Sequence, residues 1–169
     1  TLLRALSAPA MAVWQAGAAP PWAVVAGLLA AVVAVLPWPW RLRLWAGPLL
    51  LPLLWPPQER PAEGGFEVVA ADVGQGTAVL VRTRRHLLLY DAGPQYGRQT
   101  DAGQRVLLPL LRARAERRVH HLVLSHGDAD HIGGAASLLD AWPVGAASSS
   151  LGPAHPLRAR LPQHRACAA

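Results

Sequence analysis

Leu122-Val123-Leu124-Ser125-His126-Gly127-Asp128-Ala129-Asp130-His131-Ile132-Gly133-Gly134 is the stretch on which the fold turns. His121–Leu124 is a short apolar run, the signature of a buried strand, and it stops at Ser125. Four side chains able to bind a metal, His126, Asp128, Asp130 and His131, then fall within six residues. In an extended loop, residues i, i+2 and i+4 share a side, so His126, Asp128 and Asp130 can converge. His131 opens the next helix and projects differently, towards a second ion beside the first. Gly127, Gly133 and Gly134 allow a tight turn and close backbone approach. Asp128 and Asp130 repel one another unless water or a cation bridges them. An EF-hand beginning at Asp128 fails at its fifth and twelfth positions, Ile132 and Leu139, where oxygen ligands are required. A merely solvated polar loop is a poor match to the buried strand before it and the double glycine after it.

Working outward, short β runs precede this stretch. Phe66–Ala70 reads as a strand ending at Asp72-Val73-Gly74-Gln75-Gly76, Thr77–Arg82 as a second, and His86–Tyr90 as a third that stops at Asp91-Ala92-Gly93-Pro94. Residues 105–116 suit a helix with Leu107, Leu108, Leu110 and Leu111 inward, Arg112, Arg114 and Arg117 outward, and Pro109 in the first turn. A further helix is expected near Ile132-Gly133-Gly134. The order β-β-β-α-β-loop-α predicts mixed α/β layers with ligands at strand ends.

Composition divides the chain. Only Arg4, Arg41 and Arg43 of the charged residues precede Glu59, six of the seven Trp lie in that opening third, and all seven His lie after Arg85. Every basic residue is arginine, and the net charge of +6 is mild for a nucleic-acid-binding chain. The single Cys167 excludes an internal disulfide framework and any CxxC motif. The opening shows no signal-peptide pattern, and the Pro/His/Arg-rich end suggests an excerpt of something longer.

Residues 5–40 carry no charge. A helix from Pro20 to Trp40 would measure about 32 Å, enough for a hydrocarbon core of ~30 Å. Trp22 at one end, with Trp38 and Trp40 at the other, suit interfacial aromatic belts. The Val and Leu residues between Trp22 and Leu36 favour insertion by about 2–5 kcal/mol. A membrane-spanning helix is therefore expected, a buried soluble helix being the alternative. Leu44–Pro57, interrupted by Pro48 and Pro52, reads as a kinked short span, a re-entrant segment or an interfacial hairpin. If Arg41 and Arg43 face the cytoplasm, a crossing by residues 44–57 puts everything after Glu59 outside it. Breakers and charge in Pro56–Gly65 mark a linker. The expected organisation is membrane-embedded helices over residues 1–57, a linker over 58–65, and an α/β domain over 66–169.

His126-Gly-Asp128-Ala-Asp130-His131-Ile-Gly-Gly resembles the HxHxDH metal loop of the metallo-β-lactamase superfamily, with Asp128 in place of the middle His. Together with Asp72-Val-Gly-Gln-Gly76 and Tyr90-Asp91-Ala-Gly-Pro94, it resembles the DNA-internalisation competence proteins (ComEC family), in which that replacement is common. The resemblance implies the N-terminal half of an αββα sandwich behind a membrane channel. It assigns His126 and Asp128 to a first metal, Asp130 and His131 to a second, and to Asp130 the orientation of the attacking water. It makes Asp91 a brace for the metal loop, with Asp72 and Gly74–Gly76 a structural turn near the mouth and Gly133 and Gly134 in support.

The implied cofactors are two divalent ions, zinc or manganese, and the implied chemistry is phosphodiester hydrolysis in DNA uptake for natural transformation. The implied location is the inner membrane, multi-pass, with the hydrolase domain extracytoplasmic. Implied partners are single-stranded DNA, lipid, other competence-machinery proteins and a second copy of the chain. Further ligands are expected from later in such a domain, so the excerpt alone is expected to bind metal weakly and catalyse little. A membrane-anchored hydrolase of a small ester or thioester, and a non-catalytic DNA-binding gate, remain as alternatives.

Overall fold

A computed structural model describes residues 17–167. Two compact units emerge, one running to Gln58 with Arg112–Ala115, the other comprising Glu59–Leu111 and the chain from Glu116 onward.

In the first unit α1 (Pro21–Val35), a single turn α2 (Trp40–Arg43) and α3 (Ala46–Leu54) follow one another. Pro21 starts α1 at no hydrogen-bond cost. Pro37 forces Leu36 into an extended conformation (φ −60°, ψ 145°) and ends the helix before Trp38. Small residues Ala23, Gly27 and Ala30 form its buried stripe, and Leu53 of α3 occupies the space a side chain at Gly27 would need.

This corrects the membrane-spanning expectation. The helix has 15 residues, not the 21 from Pro20 to Trp40. At ~1.5 Å per residue it reaches about 22 Å. Helix α3 has nine residues with Pro52 inside it. Among the described residues no helix is long and apolar enough to cross a membrane. The part of the charge-free run at residues 5–16 lies outside the described residues.

The second unit is built on a six-stranded sheet: β1 (Phe66–Ala70), β2 (Val79–Thr83), β3 (Leu87–Tyr90), β6 (Val119–Leu124), β7 (Val144–Ser149) and β8 (His164–Ala166), in that spatial order. The first three strands pair antiparallel; β3–β6, β6–β7 and β7–β8 pair parallel. A small hairpin, β4 (Gln95–Gly97) with β5 (Thr100–Asp101), leads into a π-helical turn Gly103–Leu107 and α4 (Leu108–Ala113). After β6 come a one-turn α5 (Ala129–Ile132) and α6 (Ala135–Ala141).

Register assigns the two faces. Val69, Leu80, Leu89, Leu122 and Ala147 pair across the sheet in one row. Leu80, Leu89, Leu122 and Ala147 are buried and share a core with Leu107, Leu108 and Leu111 before and within α4 and with Ala135 and Leu138 of α6. The adjacent row, Val68, Val81, Leu88, His121 and Ala146, lies on the opposite face, and every member is exposed or half-buried. In the second unit the core helices thus pack on one face of the six-stranded sheet, a two-layer α/β arrangement. Parallel β3 and β6 end together, so the loops after Tyr90 and Leu124 meet at one sheet edge, where α/β folds place their ligands.

Candidate metal centre

Three loops interlock at that edge. Thr77 N–H donates to the Asp130 carbonyl (3.2 Å), Gly93 N–H to Thr77 O (2.8 Å), Ala92 N–H to His131 O (2.7 Å) and Gly134 N–H to Gly93 O (3.1 Å). Gly76, at φ 138°, fits only without a side chain, because a Cβ would collide with the Asp130 carbonyl. Gly133 and Gly134 lie against Gln95, Ala92 and Gly103 backbone, so their role is packing of the loop base. Asp72 points into its own turn, where its Oδ1 accepts from Gly74 N–H (3.2 Å).

Asp91 is fully buried and holds a left-handed backbone conformation (φ 57°), one that aspartate tolerates better than most residues. Its carboxylate accepts three hydrogen bonds: Ser125 N–H at 2.7 Å, Ser125 Oγ–H at 2.8 Å, and His131 Nδ1–H at 2.7 Å. Since the Ser125 hydroxyl gives its one proton to Asp91, it can only accept from His126 Nδ1 at 2.8 Å. The hydrogen-bond network therefore assigns both imidazoles the same tautomer, with Nδ1 protonated and the Nε2 lone pair unengaged. The Asp91 carboxylate, by its hydrogen bond first and its charge next, raises the His131 pKa above the ordinary histidine value against the opposing effect of burial; Asp130 and Asp128 add to the rise.

The two Nε2 atoms face carboxylates. His126 Nε2 lies 3.4 Å from Asp128 Oδ2, and His131 Nε2 lies 3.6 Å from Asp130 Oδ2. The ring centroids are 3.9 Å apart. Asp128 is the N-cap of α5, yet its carboxylate makes no capping bond and is 76% exposed. The donor types, imidazole nitrogen and carboxylate oxygen, suit zinc or manganese. Their arrangement does not complete a centre: among the described residues no group of three or more His, Cys, Asp or Glu side chains is placed to hold a metal ion. Four donors stand as two pairs on one loop. The remaining five histidines are elsewhere, His155 capping a 3₁₀ turn, His164 on Ser149, His121 on Ser148, and His86 against His120.

Ser125, which in the sequence reads only as a strand terminus, is the further member of the site. The detectable signal was a hydroxyl immediately before the first histidine, with a lone Asp ending a neighbouring strand.

Residues 71–167 match the Metallo-beta-lactamase superfamily, more than half of the chain. Competence protein ComA of Neisseria gonorrhoeae is 39% identical over 130 residues, covering 72% of this chain and 18% of that protein. Recombination protein 2 of Haemophilus influenzae is 38% identical over 78 residues (46% and 10%), and ComE operon protein 3 of Bacillus subtilis 33% over 85 residues (43% and 11%). The chain thus spans less than a fifth of the length of these relatives. With this fold, this loop and these relatives, the chain belongs to the metallo-β-lactamase superfamily, as a member of its ComEC-like competence-protein family.

Proposed function

We propose that this domain supplies the ion-orienting half of a metal-dependent hydrolase acting on DNA phosphodiesters in a competence protein. The observation that carries the reading is the Asp91–Ser125 relay, which turns both Nε2 lone pairs outward beside exposed carboxylates. A structural histidine cluster has no need of such a shared tautomer. His126 and Asp128 would hold one divalent ion and Asp130 and His131 a second, zinc or manganese. When bound, such ions supply Lewis acidity toward a phosphoryl oxygen. Asp130 would accept a hydrogen bond from the attacking water and orient it. Residues 66–169 would form the N-terminal half of the αββα sandwich, with residues 58–65 a linker from the preceding helices.

Movement of one DNA strand into the cell, residence at the inner membrane, an extracytoplasmic position for this domain and contact with other competence proteins are properties of a whole protein. The names of the competence relatives support the DNA-uptake part of this proposal.

The test uses the intact protein, single-stranded DNA and a small thioester, with divalent ions added or chelated. Asp130→Ala should lower ion-dependent DNA cleavage by about 10²-fold or more, the scale of removing a catalytic acid–base group. Undiminished cleavage by that variant overturns the reading. Cleavage of the thioester but not DNA would favour the small-substrate hydrolase, and DNA binding without any cleavage the gating module.

A further inference from the structure

The end of the sheet opposite the Ser125 loop concentrates positive charge. Strands β2 and β3 are joined by Arg84-Arg85, the two central residues of a turn closed by Thr83 N–H on His86 O (2.9 Å) and His86 N–H on Thr83 Oγ1 (3.1 Å). The turn bonds are made by Thr83 and His86, and both arginines are exposed. Beside them lies an open cavity of about 260 Å³ lined by Glu63, Gly64, Phe66, Arg84, Arg85 and His86. Phe66 is 70% exposed, although a solvent-facing phenyl on an edge strand gains nothing in folding.

Across the start of β3, the His86 ring meets His120 edge-on at 5.0 Å, with exposed Arg118 next in sequence but one. Burial first, then the charges of His86 and Arg118, holds His120 below the ordinary histidine pKa. One carboxylate lines the cavity, Glu63, 3.9 Å from Arg84.

We infer that this hairpin edge binds single-stranded nucleic acid, Arg84 and Arg85 engaging successive phosphates while Phe66 stacks on a base. Exposed arginines beside an exposed aromatic ring are the pair of features that sequence-tolerant single-strand binding needs. The cavity is smaller than the ~300 Å³ of drug-sized pockets and suits one base rather than a larger ligand. A bilayer would require a broad apolar face, whereas Phe66 is flanked by the charged Glu63, Arg84 and Arg85. The inference rests on DNA being the substrate. The hairpin turn and the Ser125 loop lie at opposite ends of the sheet.

The experiment measures binding of a fluorescent oligothymidylate of about twelve nucleotides to the intact protein by anisotropy, in chelator, across a salt series. Arg84→Ser with Arg85→Ser should weaken binding about tenfold and flatten the log–log salt slope by about 1.4, two phosphates at ~0.7 each. Phe66→Ala should weaken it about tenfold with the slope unchanged. Glu63→Gln should tighten it about two- to threefold, a gain that no folding defect produces. Cleavage with added ions tests the hydrolase reading and binding in chelator tests this one, so either can fail while the other stands. Wild-type affinity and slope in the arginine and phenylalanine variants would overturn the inference. So would loss of sedimentation with phosphatidylglycerol vesicles without loss of oligonucleotide binding.

Discussion

Asp91 Oδ2 accepts the His131 Nδ1 proton at 2.7 Å while the same carboxylate, through the Ser125 hydroxyl, sets the tautomer of His126. One fully buried acid thus aims two imidazoles. Asp91→Ala would leave Ser125 N–H without its partner and should cost about 1–3 kcal/mol of stability, read from urea unfolding. It should also weaken divalent-ion affinity of the intact protein about 10–100-fold, the effect of losing a brace on a ligating histidine. Unchanged affinity with lowered stability would reduce Asp91 to a folding role.

Gly76 and Gly74 separate close packing from backbone strain. Both have positive φ, but only at Gly76 would a methyl group meet the Asp130 carbonyl; at Gly74 it meets nothing. Gly74→Ala should cost about 1 kcal/mol, and Gly76→Ala clearly more, with displacement of the 126–131 loop. Equal melting temperatures for the two variants would contradict the interlocked-loop description.

Glu116 is buried between two arginines, with Arg60 Nη2 at 2.6 Å and Arg82 Nε at 3.5 Å. Arg82 also donates to the Glu59 carbonyl, so the chain entering the domain is clasped to β2. Glu116→Gln removes one partner of a buried ion cluster and should destabilise by about 3 kcal/mol. Proteolysis near Glu59–Arg60 should accelerate in that variant, and a wild-type cleavage rate would remove the clasp.

Acid should destabilise the fold through His120. Its Nδ1 accepts the Leu87 N–H (3.1 Å), which a second proton there would abolish. Because its folded pKa lies below the unfolded value near 6.5, the unfolded state binds more protons on acidification. Stability is intact above pH ~6.5 and falls as pH drops toward and through the lowered folded value. His120→Asn keeps an acceptor without the titration and should flatten unfolding free energy as pH falls below about 6.5. An identical slope in both proteins would refute the assignment.

Strong local signals announced most of the second unit's first half. Phe66–Ala70 forms a strand with those bounds, and Leu107, Leu108 and Leu111 are buried around a helix that carries Pro109 in its first turn. The strand Val144–Ser149 was missed because Gly145-Ala146-Ala147-Ser148-Ser149 has little β propensity; its parallel pairing with β6 overrides that preference. The His164–Ala166 strand is formed in the same way, by pairing with β7. The opening helix was overextended because uniform hydropathy hid the backbone consequence of Pro37, which sets Leu36 outside the helix. At the site, residue types were legible, but the Asp91–Ser125 relay joins residues 34 apart and needs the β3–β6 pairing to exist.

The most direct test of the central claim is the number of divalent ions bound by the intact protein after equilibration with zinc or manganese, counted by elemental analysis. The account predicts about two ions per wild-type chain. His126→Ala with His131→Ala should bind at most a small fraction of that, while His155→Ala should match wild type. Wild-type occupancy in the His126/His131 double variant would contradict the account.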